Sequence, residues 1–267
     1  AFLHSIHRIE PGKINHLNIC DVDSVLKNSF LDLKPACRDT DYFHHTVWRV
    51  MFGRYTGIYH GLNTYGYPVR PPSADEVPET RWLLSGSSIT HGASPSAYHL
   101  CYAQLAGRLL GVDVLNCGLS GACLCEPEMA DYLADRDDWD QIYLELGVNM
   151  RGAFTAEAFY ERSRSLIGKI VTTHPDKEVV VATCYPNAES PANAREGSLL
   201  QKRQLAFDQI LRDAVADLNH RNLHLIEGAT VLTDYCGIAR DRIHPADYGH
   251  IDMAYNLAAR MRTIRSH

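Results

Sequence analysis

The sequence predicts an α/β protein whose parallel sheet lies between two layers of helices. Two observations carry that reading. From Trp82 onward, short apolar runs alternate with longer stretches of helical periodicity, and strands alternating with helices imply parallel pairing through right-handed crossovers. Runs such as Val179-Val180-Val181 are apolar throughout, as suits a strand buried on both faces. The chain has 267 residues, of which 45% are hydrophobic. That is enough for one large domain, or for a medium domain and a small one.

Taken in order, RWLLSG (81–86) reads as the first strand. Ser96 to Gly111 has apolar residues at helical spacing and ends on a glycine, a helix stop. VDVLNCG (112–118) is the second strand, and EPEMADYLADR (126–136) is a short helix with acids in its first turn. QIYLELG (141–147) is the third strand. Thr155 opens a long amphipathic helix running to His174. EVVVATCYP (178–186) is the fourth strand, 199–220 a second long helix, LHLIEGA (223–229) the fifth strand, and 245–261 the last helix. The three-layer domain therefore spans 80–267. Before it, HTVWRVMFGRYTGIY (45–59) is rich in β-branched and aromatic residues and predicts a hairpin-like pair of strands. Residues 1–70 read as a small β-rich module that leans on the larger domain, and the proline-rich 71–79 as a stiff linker.

Charge and composition exclude several roles. The net charge is −6 and the pI about 6.1, without the basic footprint of a nucleic-acid partner. No stretch reaches the roughly 18 apolar residues of a membrane span, and the first residues contain no apolar core of a signal peptide. Of the eight cysteines, Cys101, Cys117 and Cys184 sit in apolar segments, where a free thiol packs as a small hydrophobe. A reduced, cytoplasmic protein is expected.

In an open parallel sheet, ligands bind at the carboxyl ends of the strands. There the sequence delivers Ser85-Gly86-Ser87-Ser88, then Asn116-Cys117-Gly118-Leu119-Ser120-Gly121, then Gly147-Val148-Asn149, and before the last helix Asp241-Arg242-Ile243-His244-Pro245. Hydroxyl, glycine amides, a carboxamide and an Asp/His pair are the parts of an acyl-transfer site. A serine hydroxyl needs a base to take its proton, the imidazole needs a carboxylate to orient it, and the oxyanion needs preorganised N–H donors. Other motifs are missing. There is no P-loop lysine after Gly92, no G-x-G-x-x-G and no H-E-x-x-H. Gly86-Ser87-Ser88-Ile89-Thr90 lacks the second glycine of the G-x-S-x-G elbow.

GSSITHG, NCGLSG, LGVNM and DRIHPADYGH, in this order and spacing, resemble the four sequence blocks of the SGNH, or GDSL-type, hydrolases. They are similar in particular to a branch with an N-terminal β-sandwich. The resemblance covers about residues 80–267 and implies a flavodoxin-like domain. Matching motif to motif, it makes Ser88 the nucleophile, with Asp241 and His244 completing a triad. It makes the Ser88 amide, Gly118 and Asn149 the oxyanion-hole donors. Two positions depart from the pattern: Ser87 stands where the family has aspartate, and Met150 follows Asn149 in place of aspartate.

Each of these residues also has a plainer reading. Ser88 and Gly118 suit a turn, and Asn149 suits a helix cap. Asp247 and His250 form a second acid–histidine pair three apart, but His250 falls inside the predicted last helix. His91 is near the nucleophile and either lines the pocket or is structural. Glu145 is a lone carboxylate in an apolar strand and needs a partner if buried. His44-His45 and Cys123-Leu124-Cys125 fit no standard zinc spacing, so neither a metal nor a cofactor is expected. The rim expected from Gly86, Ser87, Gly92, Ala93, Gly118, Ser120, Gly121 and Ala122 is small, and the loop Asn187–Gly197 is polar. The expected function is a serine esterase that hydrolyses short, acetyl-like esters of a polar alcohol such as a carbohydrate, through an acyl-enzyme. The alternatives are an acyltransferase using the same acyl-enzyme and an inactive binding module on the same fold. The expected partner is a small-molecule or carbohydrate ester, with no nucleic acid and no membrane; a homo-oligomer is left open.

Overall fold

The computed structural model describes residues 6–17, 42–44, 47–53, 57–190 and 197–265. Strands β1 (Arg81–Gly86), β2 (Asp113–Gly118), β3 (Gln141–Glu145), β4 (Glu178–Ala182) and β5 (Leu223–Ile226) form one parallel sheet in the order β2-β1-β3-β4-β5. The chain steps from β1 outward to β2, then returns past β1 to lay down β3. The strand order therefore reverses between β1 and β3, and a crevice opens at their carboxyl ends. The register sets Gly86 beside Gly118 and Ser85 beside Leu144 at that end.

The helices are α1 (Ser88–His91), α2 (Tyr102–Leu110), α3 (Pro127–Asp135), α4 (Ala156–Thr173), α5 (Leu199–Leu218) and α6 (Asp247–Arg265). The side-chain period of two sorts each strand between the layers. Trp82, Leu84 and Tyr143 pack toward α2 and α6, against Tyr102, Ala106, Met253 and Leu257. Leu83, Ile142 and Leu144 pack toward α3, α4 and α5, where Phe159 and Phe207 stack with ring centroids 4.0 Å apart. Local signals end several helices close to where the sequence places the ends, whereas α6 runs to Arg265, past the expected end at 261. Thr155 caps α4 by accepting from the Ala158 amide, and Ser198 caps α5 by accepting from that of Gln201. Gly111 and Asn219 close α2 and α5 in the left-handed region. No helix among the described residues is long and apolar enough to cross a membrane.

Two expectations differ. The single helix read over 96–111 is instead a 3₁₀ turn (Tyr98–Leu100), an extended Cys101 (φ −66°, ψ 146°), and then α2. The cause lies in α6: Asp247 Oδ1 accepts from the Ser96 amide, and His250 Nδ1 accepts from that of Tyr102. Tertiary partners for these amides pin the chain on both sides of the break. The second difference concerns the β-rich module. Among the described residues before 80 there is no strand, and the pair read over 45–59 falls partly on residues outside the described set. The described part of that stretch exposes Trp48, Val50, Phe52, Ile58 and Tyr59. The segment does touch the sheet domain, through Arg49, which lies over Phe43 and pairs with Asp113 at 3.6 Å, and the His44 amide donates to Glu76 O of the linker.

Candidate active site

β1 ends at Gly86, where a Cβ would lie 2.4 Å from Thr90 Oγ1 and 2.6 Å from Glu145 Oε2. Only glycine lets those two groups cross the strand end. The chain then turns at Ser87, which is fully buried, and its Oγ accepts from the Ile89 amide at 3.1 Å. Ser87 is thus the N-cap of α1, which answers why two hydroxyls stand together: the first caps, and the second heads the helix. Ser88 is half-buried, and its Oγ lies 2.6 Å from His244 Nε2. The short helix closes on Gly92 at φ 93°.

His244 sits on the loop before α6. Asp241 Oδ2 meets its Nδ1 at 2.6 Å, while Asp241 Oδ1 accepts from the backbone amides of Ile243 and His244 at 2.9 and 3.0 Å. Partial burial pushes the Asp241 carboxyl upward, but the hydrogen bonds from His244 and Ile243 outweigh it and hold the group below the usual carboxylate range. An ionised Asp241 can only accept, so the ring proton sits on Nδ1 and the Nε2 lone pair faces Ser88 Oγ. The loop is tied from behind, because the Ala188 amide donates to Arg242 O at 2.8 Å.

The loop after β2 departs from expectation at Gly118. Its amide donates to Asn116 Oδ1 at 2.9 Å, so it is not a free donor for an oxyanion. Packing explains the glycine instead, since a Cβ there would lie 2.3 Å from His91 N. The neighbouring amides are also engaged. Leu119 donates to Gly86 O, Ser120 to His91 Nδ1, Ala122 to Leu119 O and Cys123 to Asn149 Oδ1. Gly121, exposed and at φ 72°, is the one residue of this run whose amide has no partner among the described residues. Two further donors are likewise open. The Ser88 amide is the first of a helix, which has no intrahelical partner. Asn149, anchored through its Oδ1 to the Cys123 amide, has no partner for its Nδ2 protons among the described residues. The sequence places Asn116 and Gly121 in the NCGLSG block, and Gly121 in the expected rim, without assigning either a hydrogen-bonding role. An asparagine two residues before an amide it can bind is a recognisable turn signal.

Beneath the turn lies Glu145, completely buried. Its Oε2 accepts from the Ser87 amide at 2.7 Å and from Thr90 Oγ1 at 3.0 Å, while Oε1 has no partner among the described residues. Burial pushes this carboxyl up to about 7, against the opposing effect of the hydrogen bonds from Ser87 and Thr90. His91 serves as a strut, its Nδ1 holding Ser120. The rival acid–histidine pair is structural. Asp247 takes the Ser96 amide, and buried His250 bridges the Tyr102 amide and Ala93 O. Gly86, Ser87, Gly92, Ala93 and Gly118 are buried rather than rim-forming; the exposed part of the rim is Leu119 to Ala122. Of the polar loop, residues 191–196 lie outside the described set.

A search of curated proteins finds no match. Among solved structures, one described as a GDSL-like lipase from Bacteroides ovatus superposes with a TM-score of 0.60 at 26% identity, over 73% of this chain and 58% of that one. A salicylyl-acyltransferase from a tetracycline biosynthetic pathway gives 0.58 at 19% identity, covering 69% and 55%. A family two carbohydrate esterase from Cellvibrio japonicus gives 0.54 at 15%, covering 70% and 62%. The chain thus spans less than two thirds of each of these relatives, and the last two likenesses speak for the fold alone. The model of the GDSL-like lipase/acylhydrolase family matches residues 79–262, from the end of the linker through nearly all of α6, and the chain belongs to that family.

Proposed function

We propose that this acylhydrolase is a serine esterase that forms its acyl-enzyme on Ser88 and hydrolyses short-chain esters of a polar alcohol such as a carbohydrate. The observation that carries the reading is the line Ser88 Oγ, His244, Asp241, with both contacts at 2.6 Å. His244 Nε2 takes the Ser88 proton as Oγ attacks the ester carbonyl. Asp241 stabilises the imidazolium that forms, and His244 then returns the proton to the leaving alcohol. Water enters by the same route in reverse and releases the acid. The oxyanion is held by the Ser88 amide, Asn149 Nδ2 and, in place of Gly118, the Gly121 amide. Gly121 is the open donor in its loop among the described residues.

The short-chain preference rests on the rim. Ser120, Gly121 and Ala122 offer little apolar wall beside Leu119. A long acyl chain needs a groove to repay about 0.8 kcal/mol for each buried CH₂. The test is a series of p-nitrophenyl esters from acetate to laurate. The reading expects kcat/KM to peak at acetate to butyrate, and a steady climb to laurate would refute it. The same assay with added alcohols separates hydrolysis from acyl transfer: transesterified product in excess of acid would assign the chain to transfer.

A further inference from the structure

We infer that Glu145 is a positioning residue for the nucleophile, the carboxyl end of a buried hydroxyl chain that holds the Ser88 turn in register with His244. The inference rests on the reading of Ser88 as nucleophile.

The geometry is that of a clamp. Glu145 Oε2 binds the amide of Ser87, immediately before Ser88, and the hydroxyl of Thr90, two residues after it. Both are completely buried, where a stranded donor is unfavourable. The helix they hold, from its cap and its third residue, has four residues. A helix that short has no stability of its own and takes its position from what it is bound to. The 2.6 Å contact between Ser88 Oγ and His244 Nε2 joins groups 156 residues apart, so it depends on how the turn is seated.

Proton counting gives the chain a direction. Thr90 has one hydroxyl proton, which Glu145 receives, so Tyr102 must donate in the 2.7 Å contact between its OH and Thr90 Oγ1. Tyr102 has then used its proton, and Tyr185 donates to it at 3.3 Å. Tyr143 in turn donates to Tyr185 at 2.7 Å. Four buried hydroxyls from β3, α1, α2 and the segment after β4 thus point their protons the same way, toward Glu145. Each bond polarises the next. An apolar residue at 145 would leave both the chain and the Ser87 amide without a terminus. A glutamine would still present an acceptor oxygen.

The experiment compares the full chain with Glu145→Ala, Glu145→Gln and Thr90→Val. The readouts are kcat and KM on p-nitrophenyl acetate, the rate of Ser88 labelling by a fluorophosphonate, and the melting temperature. Misplacing a catalytic group by about 1 Å can lower a rate on the order of 10²-fold. Glu145→Ala is therefore expected to lower kcat and the labelling rate roughly 10- to 100-fold with KM little changed. Glu145→Gln should recover most of that loss, and Thr90→Val should fall between. A Glu145→Ala protein that labels at the wild-type rate, or a glutamine variant as slow as alanine, overturns the inference. If Glu145→Ala does not fold, Thr90→Val decides: labelling at the wild-type rate overturns it. A wild-type chain that neither turns over ester nor labels at Ser88 overturns the esterase reading itself, a different result from equal rates in wild type and variants.

Discussion

Replacing Glu145 with glutamine should remove a pH dependence of stability that the fold imposes. An ordinary glutamate carries its proton to about 4.5, whereas buried Glu145 holds it to about 7. Between those values the unfolded chain has lost the proton and the folded chain has kept it. The folded state binds more protons there, so stability falls as pH rises through this window and is level above it. Each pH unit over which the proton is held corresponds to about 1.4 kcal/mol, so the whole interval is on the order of 3 kcal/mol. Glutamine does not titrate. The assay is urea unfolding of both proteins from pH 4.5 to 8, followed by tryptophan fluorescence, with Trp82 and Trp139 buried in the two core layers. Taking the difference between the proteins cancels other titrating groups, among them Asp208, which burial raises to about 6. The wild-type advantage over Glu145→Gln should shrink by about 3 kcal/mol across the window. Parallel curves, with a constant difference, would show that the carboxyl is ionised throughout, and the burial argument would fail.

Ser88→Ala should lower kcat by about 10³ or more, while Ser87→Ala should mainly lose a helix cap, about 1 kcal/mol; kinetics and melting curves on the pair separate the two hydroxyls. Gly118→Ala should lower the melting temperature by on the order of 5 °C or more, because the clash is with His91 backbone rather than a side chain that can swing away. An unchanged melting temperature would reopen a role for its amide. His250, held neutral by burial down to about 4, favours its neutral form in the folded chain while an unfolded histidine protonates near 6.5. Its contribution is therefore present above about 6.5 and is lost as pH falls toward 4. His250→Gln should flatten that acid limb in the same urea titration.

The strands and most helices were legible in the sequence because their signals are local. The apolar runs of β1, β3 and β4, and the cap Thr155, need no knowledge of what lies across the fold. The family resemblance implies that Ser88, Asp241 and His244 meet, and Ser88 and Asp241 each contact His244; their catalytic roles are what the variants test. What the tertiary structure decided is where a residue's meaning depends on a distant partner. Cys101 breaks a sequence-perfect helix because α6 supplies Asp247 and His250 to the amides on either side. Gly118 reads as an oxyanion donor until Asn116 takes its amide and His91 fills the space above its Cα. Glu145 is one odd letter in an apolar strand until the pleat turns it, with Tyr143, toward Thr90 and Tyr102. Periodicity reports which face a residue takes, but not which atoms meet there. A hydrogen bond is decided within a few tenths of an ångström, and that precision arises only when the layers close.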